Sequence, residues 1–249
     1  MTLREDELQA RLAPHPVRFY PQVDSSNDLA LAWLYEGAAA GSVVIADEQH
    51  KGRGRLGRVW RTPPGVALAV SLILRPRPED LPQITMLGAL AIYDMLVGLG
   101  LADCGIKWPN DVQINRRKVS GILSEAAWAG DKLAGVVLGM GINVRVDFSA
   151  GELAARAISI EPALSRPVDR TDLLVALLAR VDFWERRLGT GELFQTWKRR
   201  LVTLGQPITA GGLIGTAEDV TPDGALVIRT ADDQLHRVIA GDVMVEDRS

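Results

Sequence analysis

The 249-residue chain is short of the side chains that most readily declare a chemistry. It has one cysteine, Cys104, so no internal disulfide can form, which fits a reducing compartment. Its histidines, His15, His50 and His236, are scattered and have no cysteine pair near them, so the spacing of a zinc site is absent. No G-x-S-x-G elbow occurs, which leaves a hydrolase reading with little support. No apolar run approaches the roughly 18–20 residues of a membrane span. The opening Met1-Thr2-Leu3-Arg4-Glu5-Asp6-Glu7 is too charged for a signal peptide. A net charge of −3 lacks the basic excess of a general nucleic-acid binder. Internal repeats and low-complexity segments are missing too. The remainder is 47% hydrophobic and 24% charged, an ordinary soluble composition, and a cytoplasmic setting is expected. The length suffices for one large domain, or a medium one with a small one.

One stretch stands out: Gln49-His50-Lys51-Gly52-Arg53-Gly54-Arg55-Leu56-Gly57-Arg58-Val59-Trp60. Glycine lets a backbone take positive φ and approach a ligand, and arginine offers a fork of donors matched to carboxylate and phosphate. Gly52 to Gly57 formally matches the dinucleotide fingerprint, but Val59-Trp60-Arg61-Thr62-Pro63-Pro64 cannot supply the helix that fingerprint needs. Arg58-Val59 stands where a phosphate P-loop has Lys and Ser/Thr. What remains is a loop able to fold over an anion, with Arg53, Arg55 and Arg58 as its cations; a solvated basic turn is the plain alternative.

Around that loop the pattern predicts a short amphipathic helix over residues 1–13 and a strand over Val17–Val23. Asp24-Ser25-Ser26-Asn27 then opens a helix to about Gly37, with one of these side chains as a normal cap or the cluster facing a ligand. Ser42–Gln49 and Val66–Leu74 read as buried strands, and Leu81 to about Leu99 as a helix. Gln113–Val119 reads as a hairpin tip, and Val119–Glu125 and Leu133–Asn143 as antiparallel strands. Residues 145–170 read as irregular, followed by a helix capped by Thr171 or Asp172 and another near Leu193–Leu204. Short strands at 207–210, 213–217, 225–228 and 236–239 suggest a small β-barrel. The expected division is 1–203 and 204–249.

Lys107-Trp108-Pro109-Asn110-Asp111 joins a cation and an aromatic to two short polar side chains whose directions the proline pins. Taken singly it is also a fair surface turn. Arg117-Lys118-Val119-Ser120-Gly121-Ile122-Leu123 sets a lysine at a strand entry before small residues. Gly139-Met140-Gly141-Ile142-Asn143 puts two glycines in a strand, for close backbone approach or a bulge.

Together and in this order, these motifs closely resemble the biotin–protein ligases, from about residue 17 onward. The resemblance implies an α+β fold: a mixed β-sheet flanked by helices, like class II aminoacyl-tRNA synthetases, then a small SH3-like β-barrel. It implies biotin and ATP as substrates, Mg2+ accompanying ATP and held mainly by its phosphates, and biotinyl-5′-AMP as intermediate. It implies a lysine of a biotin carboxyl carrier protein domain as the final acceptor. By position Ser25, Ser26, Asn27 and Gln49 would bind the biotin head, and Gly121 and Gly139 its floor. Gly52, Arg53, Gly54 and Arg55 would close over biotin and the adenylate, and Lys118 would hold carboxylate and phosphate. Arg58, Lys107, Asn110, Asp111 and Asn143 would lie near the adenylate and Trp60 near adenine. Lys118, Arg55 and Asp111 are the expected catalytic residues. Leu56 departs from the pattern, standing where many members have a further arginine. Regulatory members carry a winged helix-turn-helix ahead of the first motif; fewer residues precede it here, so no DNA-binding or repressor role and no membrane association are expected.

Overall fold

A computed structural model describes residues 3–239, 241 and 243–245. The strands of its first sheet are β1 (Val17–Val23), β2 (Val43–Arg53), β3 (Val59–Thr62), β4 (Ala67–Leu74), β5 (Cys104–Lys107), β6 (Asp111–Ile114), β7 (Arg117–Ala129) and β8 (Lys132–Asn143). They run in the order β1-β2-β4-β8-β7-β6-β5, with β3 paired to β2 off that path. β1 and β2 are parallel and need a crossover; the other pairs are antiparallel. The helices are α1 (Glu5–Arg11), α2 (Ser26–Tyr35), α3 (Gln83–Gly98), α4 (Ile160–Leu164), α5 (Arg170–Glu185) and α6 (Gly191–Arg200). A second, antiparallel sheet follows: β9 (Pro207–Ala210), β10 (Leu213–Val220), β11 (Leu226–Arg229), β12 (Leu235–Val238) and β13 (Val243–Val245), in the order β12-β11-β10-β9-β13.

The expected mixed sheet with flanking helices is present, and strand alternation explains how it is covered. Successive side chains on a strand point to opposite faces. In β4, Leu68, Val70, Leu72 and Leu74 enter the main core, and in β8, Val136, Leu138, Met140 and Ile142 do the same. α3 lies on that face, itself covered by α5 and α6. It is apolar nearly all round because it has neighbours all round, burying among others Ile84, Leu87, Leu90, Ile92, Met95 and Leu96. Each such side chain contributes about 1.5–3 kcal/mol as an upper bound. Gly88 lets α3 approach the sheet: a Cβ there would stand 3.0 Å from Leu138 and 3.2 Å from Ile122.

The opposite face is only partly covered. α2 packs there through Ala30 and Leu34 on Val44, Ile73 and Val137. Beyond α2 the same face carries Ala69 and Ser71 on β4, Gly139 and Gly141 on β8, and Gly121 and Leu123 on β7. The registers Ala69↔Gly141↔Gly121 and Ser71↔Gly139↔Leu123 set these small residues side by side. That open floor is where the site forms.

Several expectations are corrected. The cap of α5 is Asp169, whose carboxylate accepts from the backbone N–H of Thr171 and Asp172, so neither Thr171 nor Asp172 is the cap. α2 starts at Ser26, and its cap residue Ser25 makes no side-chain capping bond. Residues 145–170 contain α4 and are organised by Arg145, which bonds Glu161 at 2.7 Å and the carbonyls of Gly65 and Val168 at 2.9 Å. β13 was not foreseen: three residues are too few for a periodicity. The second sheet adjoins the first through Trp108, which is 1% exposed. Its Nε1 donates to the Gly224 carbonyl at 2.8 Å and its backbone N–H to Thr203 Oγ1 at 2.9 Å. No helix among the described residues is long and apolar enough to cross a membrane.

Two outcomes are expected. Trp108→Phe leaves the Gly224 carbonyl without its donor and costs about 1–3 kcal/mol in urea unfolding, whereas Trp108→Ala also opens a cavity and costs about 3–5 kcal/mol. Arg145 holds the Glu161 carboxyl below the usual carboxylate range. Its stabilisation is therefore complete above about pH 4.3 and is lost as pH falls through the lowered folded value. Glu161→Gln should be less stable at neutral pH and show a flatter acid limb in a stability–pH series.

Candidate active site

The Gly-Arg stretch is a hairpin and not a free loop. β2 continues past Gln49 to Arg53, pairs Gly52 with Trp60 and Arg53 with Val59, and turns through Gly54–Arg58. The backbone N–H of Gly54 donates to the Arg58 carbonyl at 2.7 Å. Leu56 takes the left-handed region at φ 56°, where a non-glycine residue is strained, and its side chain is 67% exposed. At the root of the hairpin Lys51 pairs with Asp24 at 2.9 Å, which raises the pKa of its ammonium.

The hairpin overhangs a cleft of about 1110 Å³ above the small-residue floor. Among the described residues that line it are the cations Arg53, Arg55, Arg58, Lys107, Arg116, Lys118 and Arg156, against one carboxylate, Asp111. Of the expected residues, Ser25, Ser26, Asn27, Gln49, Arg53, Gly54, Arg55, Arg58, Trp60, Lys107, Asn110, Asp111, Lys118, Gly121 and Gly139 all border this space. Two do not. Gly52 is buried beneath the Trp60 carbonyl, where a Cβ would collide, and borders only a smaller adjoining hollow. Asn143 is 5% exposed and donates to the Ile158 carbonyl at 3.3 Å, so it braces the segment after β8.

One wall is a buried hydrogen-bond chain. Gln49 Oε1 accepts from the Ser26 backbone N–H at 2.8 Å and from Ser26 Oγ at 2.9 Å, while Gln49 Nε2 donates to Thr62 at 3.2 Å. Ser71 Oγ lies 2.8 Å from Ser26 Oγ and 2.6 Å from Asn27 Oδ1. Asn27 Nδ2 donates to Glu125 at 2.6 Å. Each hydroxyl carries one proton, so Ser26 and Ser71 cannot fill all three of their oxygen–oxygen contacts; the chain is one donor short. Gly139 is glycine because Asn27 occupies the space a Cβ would need.

The other wall gathers charge. Lys118 Nζ donates to Asp111 Oδ1 at 2.5 Å and lies 5.4 Å from the centre of the Trp60 ring. That ring rests on Gly141 and Gly121, and its buried Nε1 has no hydrogen-bond partner. Asn110 clamps β7, donating through Nδ2 to the Ile122 carbonyl at 2.7 Å and accepting from its N–H at 2.9 Å. Among the described residues no group of three or more His, Cys, Asp or Glu is placed to hold a metal. Burial pushes the Cys104 thiol up to about 11, so it is an unreactive side chain at pH 7.

Sequence reasoning missed Arg116, Arg156 and the cleft-rim residues Val202, Thr203, Gln206 and Met244, and also Glu125, which borders the adjoining hollow under the hairpin. Glu125 had a signal: it shares strand parity with Gly121 and Leu123 on β7. The rim had none, since it depends on how the second sheet docks.

A mixed sheet with one face held open by glycine carries a basic cleft, with a small antiparallel sheet at its rim, and the chains that share this arrangement and sequence are ligases. The chain matches the model of the biotin/lipoate A/B protein ligase family over residues 19–143 and that of the biotin protein ligase C-terminal domain over 203–245. It belongs to the biotin/lipoate A/B protein ligase family. It is 36% identical to a biotin–[acetyl-CoA-carboxylase] ligase of Paracoccus denitrificans, covering 84% of this chain and 92% of that one. It is 30% identical to a bifunctional ligase/repressor of Bacillus subtilis, over 90% of this chain and 72% of the relative. A solved biotin protein ligase of Aquifex aeolicus, in complex with biotin and ATP, superposes with a TM-score of 0.79 at 25% identity, over 94% of this chain and 99% of that one.

Gly139→Ala drives a methyl group into the Asn27 carboxamide and should cost about 1–3 kcal/mol of stability. Adding Asn27→Ala removes the obstacle, so the double variant should recover most of that loss in urea unfolding. Two simply additive losses would show that the two residues do not compete for this space.

Proposed function

We propose that the chain is a biotin–protein ligase that works in two steps. A carboxylate oxygen of biotin attacks the α-phosphorus of ATP, pyrophosphate leaves, and biotinyl-5′-AMP forms. The neutral amine of a lysine on a biotin carboxyl carrier protein domain then attacks the acyl carbon and AMP leaves. The observation that carries this reading is the charge imbalance of the cleft, whose lining has cations from four segments against one carboxylate. A carboxylate and a triphosphate repel one another, and only such preorganised cations bring them within bonding distance; in a dry site they contribute on the order of several kcal/mol to the transition state.

The donor-short hydrogen-bond chain beneath α2 favours a ligand that brings N–H donors, as a cyclic urea does. Ser25, Ser26, Asn27 and Gln49 are assigned to that head group, with Gly121 and Gly139 at the floor. Lys118 is assigned to the carboxylate and α-phosphate, with Asp111 holding its ammonium in place. Arg53, Gly54 and Arg55 cover the adenylate, and Arg58, Lys107, Asn110 and Trp60 take the nucleotide side. Gly52 and Asn143 keep supporting roles only. Mg2+ enters with the triphosphate; a single cleft carboxylate suits an ion held mainly by phosphate oxygens. Residues through 203 form the catalytic unit and those from 204 the C-terminal one. With a net charge of −3, no DNA-binding role is assigned, and the setting assigned is cytoplasmic.

The family also contains lipoate ligases by name, and the match of residues 203–245 to the biotin protein ligase C-terminal domain favours biotin. Labelled pyrophosphate should exchange into ATP with biotin present. Exchange supported by lipoate and not by biotin would overturn the assignment. Lys118→Ala should lower the biotin-dependent exchange by about 10²-fold or more with an unchanged circular dichroism spectrum. Arg55→Ala should release pre-formed adenylate faster than wild type, and mass spectrometry of a carrier domain should show one added biotinyl group.

A further inference from the structure

Glu125 sits where the head-group wall meets the Gly-Arg hairpin, and no assignment above uses it. One oxygen, Oε2, accepts from Asn27 Nδ2 at 2.6 Å and from Arg53 Nη2 at 2.9 Å. The same Arg53 nitrogen lies 2.6 Å from Asp28 Oδ1, in the first turn of α2. Arg53 therefore rests between two carboxylates, one on β7 and one on α2, while its side chain is 43% exposed. Asn27 is buried at 6%, and its amide fixes where Glu125 Oε2 points. The hydrogen-bond chain thus runs without a break from Ser71 through Asn27 and Glu125 to the hairpin.

We propose that Glu125 is a positioning residue, a latch that holds Arg53 on the sheet side of the hairpin until an anionic substrate takes the guanidinium from it. The inference rests on the proposed function only for the identity of that anion. A carboxylate or phosphate entering the cleft offers Arg53 a bidentate acceptor in place of the single oxygens that Glu125 and Asp28 each present to its Nη2 now. Substrate binding and hairpin position are then linked by one exchange of ion partners at Arg53. Arg55 and Arg58, on the turn itself, travel with it.

Glu125→Gln keeps the shape and an acceptor for Asn27 but removes the charge that holds Arg53. In the ligand-free protein, amide hydrogen exchange over residues 52–58 should quicken by about two- to fivefold, the effect of losing a half-exposed ion pair. Arg53→Gln, which removes the Asp28 pair as well, should quicken it at least as much, and adding Glu125→Gln to it should change nothing further, because the Glu125–Arg53 contact is already gone. Unchanged exchange in Glu125→Gln, or an additive increase in the double variant, overturns the latch. If Glu125→Gln melts at a lower temperature than wild type, Asp28→Asn at the half-exposed end of the contact carries the same cycle. Biotin titrated calorimetrically supplies a second readout: without the latch it should bind about two- to fivefold tighter, whereas mere structural damage weakens it. Weaker binding overturns the proposal. A protein that binds no biotin at all sinks the ligand assignment, and the exchange cycle still decides the latch.

Discussion

Everything at the site depends on a single alternation in β4, β7 and β8. Around the cleft the bulky side chains of these strands go mostly to the α3 face, and alanine, serine and glycine mostly to the other, where the bulky Ile73 and Val137 lie farther on, under α2. Because side chains alternate with period two, a core and an empty floor are made from the same residues. Leu138-Gly139-Met140-Gly141-Ile142 states this in five positions. A sheet with bulky residues on both faces would need a second helical layer, and the cleft would be filled. With glycine at 121, 139 and 141, the side chains of Asn27 and Trp60 lie directly on backbone.

That economy has a cost, which the charged rim makes visible. The floor gives little apolar contact, so the neighbouring groups are held by polar ones: Ser26 by Gln49, Asn27 by Glu125, Lys118 by Asp111, Arg53 by Glu125 and Asp28. In a partly desolvated cleft these pairs keep the side chains in one arrangement and prevent the arginines and lysines from repelling one another outward. In the latch proposed above, the pairs given up when a ligand with its own anion enters are those of Arg53. A site of this kind is organised before binding and reorganised by it. The strained Leu56 and the two flanking glycines place that reorganisation in the hairpin turn, away from the rigid strands.

The second sheet has a different part. It touches the catalytic face through Trp108, whose indole and backbone are both used to hold residues of the C-terminal part. Trp108 lies between Lys107 and Asn110, so the docking of the two sheets and the direction of cleft side chains are linked within four successive positions. The apolar rim supplied by Val202 and Met244 follows from that docking.

Much of this was legible in the amino-acid order. The strands β1, β2, β4, β7 and β8 and the helices α2, α3, α5 and α6 follow from periodicity and turn residues, because each is a local property of a few consecutive side chains, whereas β3, β5 and β6 are too short to declare themselves and the shared cleft of the motif residues was an expectation from the family resemblance. The exceptions share a cause. Asp169 displaced Thr171 and Asp172 as cap because capping depends on backbone geometry one residue upstream. Gly52 and Asn143 fell outside the cleft because the hairpin bulge and the segment after β8 turned them into the structure. Glu125 meets Arg53 across 72 positions of chain, and Arg156 reaches the cleft beside Lys118 through backbone bonds across the intervening loop. The sequence by itself determined which residues are small, which are charged and which face each takes along a strand. Only the tertiary structure decided which charges meet, since that depends on strand order, register and the docking of the second sheet, which no local pattern encodes.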